Sequence, residues 1–464
     1  MGAFKSFLLN VFLIFSVSAF ADYESTLQLA NQGDALAQYN LGVMYDSGQE
    51  VTQDFKEAIK WYRLAAEQGD ALAQFNLGTL YAQGQGTAQD YKEAAKWYQK
   101  AAEQGDALAQ SNLGTLYAQG QGLPQDYKEA YKWYQKAAEQ GDSLAQYNLG
   151  TMCTKGQGVK QDYKEAIIWY QKAAEQGDAL AQSTLGTLYR KGEGVKQEYK
   201  EAVKWYQKAA EQGDAAAQYS LGTLYAKGQG VTQDYKQTVK WYQKAAEQGD
   251  ALAQSDLGTL YRKGDGTTQD YTEAVKWYRL SAEQGNAFGQ NNLGLMYESG
   301  KGVTQDYTEA VKWYRLSAEQ GNAFGQNNLG LMYEAGKGVT QDYTEAVKWY
   351  RLAAEQGMSK AQNNLGHIYQ LGQNETDDEA AYLLPTEQGI PETQSDFGYR
   401  DNKGQEAIQD YTLAYMWIDL AAEQGDANAG QARDILARRM THLQLAKARK
   451  MVQACQAKKY KGCE

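Results

Sequence analysis

The sequence predicts an all-α array of about eleven helix-turn-helix repeats. Trp61, Trp97, Trp133, Trp169, Trp205, Trp241, Trp277, Trp313 and Trp349 recur every 36 residues, the mark of one supersecondary unit copied in series. Within each copy the apolar residues fall at helical spacing, and a Glu-Gln-Gly ending closes it. Length alone, 464 residues, suggests about three unrelated domains, and the period overrides that guess.

Composition excludes other classes. A mean hydropathy of −0.69 and the lack of any apolar run of about 18 residues exclude a polytopic membrane protein, so no integral span is expected. Aromatics at 12% in strict period argue against disorder, and 3 Cys cannot staple a disulfide scaffold. A net charge of −11 disfavours a nucleic-acid binder, which needs a basic surface to neutralise phosphates. Only 2 His leave little for metal or acid-base chemistry, so neither a cofactor nor a metal is expected.

Residues 1–21 read as a secretory leader. Lys5 precedes the apolar stretch Phe7 to Phe20, and Ala19-Phe20-Ala21 supplies a small-x-small cleavage pattern, so the mature chain is expected to start at Asp22 and to be periplasmic or secreted. Met1 to Ser6 also fits a loose myristoylation pattern, which the following apolar run outweighs. Residues 22–33 look like the second helix of a half-repeat that closes the N-terminal end.

The repeat itself can be read from Asp106 to Gly141. Ala109, Leu113, Leu116 and Tyr117 form one helical stripe, capped by Asp106 and ended by Gly120. Ala130, Trp133, Tyr134, Ala137 and Ala138 form a second stripe, opened by Asp126 with Glu129 three residues on, the pattern of a capping box. Gly114 inside the first helix costs about 1 kcal/mol against Ala, so its recurrence predicts close helix packing. A lone hairpin cannot cover its Trp and Tyr, and stacked neighbours can. Nine 36-residue copies span residues 34–357, and two degenerate copies, 358–389 and 390–425, follow. In that last stretch Ala381 replaces the Trp, and Pro385 and Pro391 disturb helices. Residues 426–464 are expected to form a basic helical cap, with Thr441 and Gln444 capping a helix to about Ala457.

Ala181, Leu185, Gly186, Tyr189, Gly192, Gly194, Val195, Ala202, Trp205, Tyr206, Ala209, Ala210 and the ending Glu211-Gln212-Gly213 together resemble the Sel-one-like repeat, a relative of the tetratricopeptide repeat. The resemblance covers nearly all of the chain beyond residue 21. It implies a right-handed α/α superhelical solenoid that works as an adaptor for other proteins, often exported in bacteria.

Comparing the copies separates positions that stay fixed from those that drift. The site after Ala-Gln reads Tyr39, Phe75, Ser111, Tyr147, Ser183, Tyr219, Ser255, Asn291, Asn327 and Asn363. The two sites after the Tyr of Leu-Gly-x-x-Tyr drift as well, giving Lys155, Arg190, Lys191, Lys227, Arg262 and Lys263 in the middle copies and Glu298 and Glu334 later. Matching positions in the tetratricopeptide pattern face a concave groove, so the resemblance implies a groove that is aromatic early, basic in the middle and acidic late. The basic residues are expected to receive an acidic segment of a protein or peptide partner, against the plain reading of solvated charges. Asn40, Asn76, Asn112, Asn148, Asn292, Asn328 and Asn364, just before Leu-Gly, either hold a partner backbone or bond from repeat to repeat.

The remaining candidates have structural readings. The Trp-Tyr pairs read as core, and Cys153, in a Tyr slot, as a buried substitution. Cys455 and Cys463 lie eight residues apart in a chain expected to be exported, and a bridge would contribute about 2–3 kcal/mol. Arg438, Arg439, Lys447, Arg449, Lys450, Lys458, Lys459 and Lys461 suit a soluble end cap or a docking tail for anionic partners. Gly120-Gln121-Gly122 lacks the strand and Gly-Lys-Ser/Thr of a phosphate loop, Asp396-Phe397-Gly398 falls in helical register, and Asn374-Glu375-Thr376 matters only in a glycosylating host. The chain is therefore expected to be an exported, non-enzymatic, monomeric scaffold. The alternative is an envelope-acting penicillin-binding or β-lactam-hydrolysing protein, or an inhibitor of an envelope enzyme, as implied by cysteine-rich members of the family. Those members pair cysteines within each repeat, whereas here only Cys153 lies inside the array.

Overall fold

The computed structural model describes residues 22–371 and 411–463. The leader with its cleavage pattern, Ala381, Pro385, Pro391, the Asn374 sequon and the Asp396 triplet lie outside the described residues. The described residues form 23 helices and no strand, in two compact units, Met1–Asp214 and Ala215–Glu464.

The first unit opens with α1 (Tyr23–Asn31) and continues with five hairpins, from α2 (Ala35–Ser47) with α3 (Phe55–Glu67) to α10 (Ala179–Lys191) with α11 (Tyr199–Glu211). The second holds four regular hairpins, from α12 (Ala215–Lys227) with α13 (Tyr235–Glu247) to α18 (Ala323–Ala335) with α19 (Tyr343–Ala354). It ends with α20 (Ser359–Leu371), α21 (Tyr411–Glu423), α22 (Ala427–Arg439) and α23 (His442–Ala457).

Local chemistry sets these boundaries. Asp106 accepts the Ala109 N–H at 2.7 Å and Gly120 ends the helix in the left-handed region at φ 68°. Asp126 accepts from Lys128 and Glu129 N–H at 2.9 and 3.1 Å, but the reciprocal half of the predicted capping box is replaced. Asp126 N–H already donates to the Tyr117 carbonyl at 3.0 Å, so Glu129 takes the Lys132 ammonium instead. Glu198 stands where the other copies have Asp and makes no side-chain cap bond.

Packing then joins hairpin to hairpin. Ala109, Leu113, Ala130 and Ala137 are fully buried, and Trp133 joins a cluster that runs from Leu113 of its own copy to Tyr98 of the preceding one. Gly114 is required by this closeness, because a Cβ there would lie 2.8 Å from Cδ1 of Tyr134. At Gly122, φ is +70° and a Cβ would lie 2.3 Å from the Tyr91 carbonyl.

Within each unit a chain of amides stitches the copies together. Gln68 donates to Gln38 at 2.8 Å, and Gln38 donates to the Ala30 carbonyl of the preceding second helix at 3.1 Å. The same pair recurs as Gln104 with Gln74 and, in the second unit, as Gln284 with Gln254. Each buried glutamine is thereby satisfied at donor and acceptor.

That signature locates an irregularity. Gln424 donates to Gln362 at 2.9 Å across 62 residues instead of 30, and a Cβ on Gly366 would meet Ile418. The sequence register assigns α20 and α21 to successive degenerate copies, whereas they pack against each other as the first and second helix of one hairpin.

Cys153 is buried, as its slot suggests. Tyr131, from the preceding second helix, packs against it and donates to Glu165 at 2.8 Å. Burial pushes the Cys153 thiol up to about 11. At the C-terminus, Thr441 and Gln444 form the capping box, Cys455 and Cys463 are bonded with Cα atoms 4.9 Å apart, and Gly462 N–H reaches Glu355 at 3.2 Å.

Candidate partner-binding face

The drifting positions lie on the first helices, and the tyrosine that follows Trp in the second helices from α3 to α19 lies beneath them. In the first unit Tyr39 sits over Tyr62 with ring centroids 5.9 Å apart, Phe75 over Tyr98 at 5.9 Å, and Tyr147 over Tyr170 at 5.6 Å. In the second unit Tyr219 stacks on Tyr242 at 5.3 Å. These upper rings are half-buried, as are Asn40, Asn76, Asn112 and Asn148 beside them.

Each lower tyrosine has a buried ring whose hydroxyl must find a partner. Thr79 bonds Tyr98 at 3.1 Å, Thr115 bonds Tyr134 at 3.0 Å, and Thr259 bonds Tyr278 at 3.0 Å. Burial pushes the Tyr98 hydroxyl up to about 12, against the pull of Thr79 and Asn112. Where the Thr position is apolar, the next drifting position takes over. Beside Val43, Asp46 accepts from Tyr62 at 3.1 Å; beside Leu295, Glu298 accepts from Tyr314; beside Leu331, Glu334 accepts from Tyr350. Beside His367 the lower residue is Ile418, which has no hydroxyl to satisfy.

The acidic late groove therefore has another explanation. Glu298 and Glu334 are partners of buried hydroxyls, and desolvation by burial raises both carboxyls above their ordinary range. Asp256 is raised for the same first reason and accepts from Tyr219 at 3.0 Å.

The basic residues behave differently. Arg190 donates Nε to Tyr206 at 3.2 Å and Arg262 donates to Tyr278 at 3.3 Å, yet Thr187 and Thr259 already satisfy those hydroxyls at 2.9 and 3.0 Å. In the first unit Lys155 and Lys191 are exposed and Arg190 is half-buried; in the second, Lys227 and Lys263 are exposed and Arg262 is half-buried. Among the described residues Lys191 pairs with Glu193 at 3.4 Å, and neither arginine forms an ion pair.

The asparagines divide. Asn328 donates to Asn291 at 2.9 Å and Asn364 to Asn327 at 3.0 Å, bridging successive copies from one drifting site to the other. Sequence reasoning missed the role of the lower tyrosines Tyr62, Tyr98 and Tyr134, which it assigned wholly to the core. The signal was present: an acid follows three residues on wherever Thr gives way to Val43, Leu295 or Leu331.

Among the described residues no cluster of three or more His, Cys, Asp or Glu is placed to hold a metal ion, and no helix is long and apolar enough to cross a membrane. No match is found among curated proteins. Of solved structures, a protective antigen of uropathogenic Escherichia coli that displays an SLR fold is 34% identical, with 95% of this chain and 96% of that one covered at a TM-score of 0.63. A Sel1 repeat protein of Oxalobacter formigenes is 36% identical over 68% of this chain and 91% of that one, at a TM-score of 0.54. The Sel1 repeat itself matches eleven times, in consecutive blocks from 35–70 to 323–358 and then at 359–384 and 398–426. Proteins built from it are generally protein-interaction scaffolds. With hairpins, registration and sequence in agreement over most of its length, the chain belongs to the Sel1 repeat family.

Proposed function

We propose that this protein is an exported, non-enzymatic scaffold that holds acidic segments of a protein partner on the first helices of each unit. The observation that carries the reading is the surplus of Arg190 and Arg262. Other copies manage with Ala82, Ala118 or Ala226 at that position, because Thr alone satisfies the tyrosine. A half-buried guanidinium that forms no ion pair gives the fold little and gives an acidic ligand a planar, two-pronged donor. The exposed Lys155, Lys191, Lys227 and Lys263 add positive charge in the same and adjacent copies. The half-buried rings of Tyr39, Phe75, Tyr147 and Tyr219, with Asn40, Asn76, Asn112 and Asn148, offer apolar contact and amides to a peptide chain. Export rests on residues 1–21, and the chain acts as a monomer in this reading.

The test is capture of partners from the envelope of the source cell by the parent chain and by Arg190→Glu with Arg262→Glu. The parent retains a stoichiometric partner that rising salt releases, and the variant loses it. Equal capture by both contradicts the proposal.

A further inference from the structure

The C-terminal cap carries a surface that the groove reading does not use. Between residues 426 and 463 nine Lys and Arg face two Asp, in a chain whose net charge is −11. Among the described residues the ion pairs of this region are those of Arg433, with Asp419 and Asp434. Arg438, Arg439, Lys447, Arg449, Lys450, Lys458, Lys459 and Lys461 are exposed.

The helix α23 sorts its residues strictly. Ala448, Val452 and Cys455 are buried at i, i+4 and i+7, and Leu443, Lys447 and Lys450 point outward at the same spacing. Leu443 is 82% exposed, whereas no other exposed large apolar side chain in the described residues passes 63%. The disulfide between Cys455 and Cys463 closes the turn that holds Lys458, Lys459 and Lys461 against the end of this helix.

We infer that this face docks on an anionic lipid surface. The combination selects the occupant. Cations alone would suit any polyanion, but a protruding leucine among them gains nothing from an ionic polymer. A headgroup layer offers negative charge at the level of the lysines and an acyl boundary within reach of Leu443. The inference stands whether or not the first-helix face binds an acidic segment, since no residue is shared.

Sedimentation of the full chain with vesicles tests it, comparing phosphatidylcholine alone with equal parts of phosphatidylcholine and phosphatidylglycerol. The first arm reads any contribution of the apolar stretch Phe7 to Phe20. The parent binds the anionic vesicles more tightly. Lys447→Ala with Lys450→Ala weakens that binding by roughly thirtyfold, and Leu443→Ser weakens it by about tenfold. All three side chains face solvent, so unchanged circular dichroism is expected alongside. Equal binding to both lipid mixtures, or variants that bind like the parent, overturns the inference. So does a concentration-dependent self-association that the lysine variant abolishes while vesicle binding persists, which would assign the face to a second copy of the chain.

Discussion

Copies Asp178–Gly213 and Asp250–Gly285 differ from copies Asn286–Gly321 and Asn322–Gly357 at the same two positions of the first helix. In the former pair Thr187 and Thr259 satisfy the tyrosine hydroxyl and leave Arg190 and Arg262 in excess. In the latter, Leu295 and Leu331 offer nothing, and Glu298 and Glu334 are bound into the fold. Charges that look alike in the sequence, drifting from basic to acidic from copy to copy, thus divide into those the scaffold consumes and those it leaves available. A drifting position is evidence of freedom only after the hydroxyl beneath it has been accounted for.

The largest effect is expected at the slot where Cys153 and Tyr131 have exchanged bulk. Cys153→Tyr alone overpacks against Tyr131 and costs up to about 3 kcal/mol in urea denaturation. Tyr131→Val added to it restores the arrangement of neighbouring copies and recovers most of the loss. Thr115→Val, which orphans the Tyr134 hydroxyl, is expected to cost about 2 kcal/mol. Adding Ala118→Glu copies the solution of Glu298 and recovers about half of it.

The effect of pH follows from the raised carboxyls. Glu298 and Glu334 hold their protons to higher pH in the folded chain than in the unfolded one, because burial disfavours their charge. Their contribution to stability is most favourable below the unfolded carboxylate range and declines as pH rises through the folded values. Glu298→Gln with Glu334→Gln keeps an acceptor for each tyrosine and flattens that decline. A stability profile from mildly acidic to neutral pH that is identical in parent and variant would refute the assignment.

Much of this was legible in the sequence. The period of Trp61 through Trp349, the caps at Asp106 and Gly120 and the tight approach at Gly114 all followed from local chemistry. Three features did not. The chain through Gln38 and Gln68 links residues 30 apart, and a constant glutamine reads equally well as a surface residue. The missing half of the Asp126 box depends on a carbonyl of the preceding helix, which no local pattern reveals. The pairing of α20 with α21 skips 39 residues of degenerate register, so counting from one Glu-Gln-Gly to the next misassigns the partner. The candidate site was legible as a set of positions but not as a division of labour, because that division is set by hydroxyls on the opposite helix.

The smallest and most telling effect is the one the account says should be absent. The unfolding free energies of Arg190→Ala and Glu298→Ala, measured side by side in urea, test it directly. The account predicts that Arg190→Ala, which reproduces the residue found at Ala118, stays within about 0.5 kcal/mol of the parent, while Glu298→Ala, which strands the Tyr314 hydroxyl, loses about 2 kcal/mol. Equal losses at the two positions would contradict it.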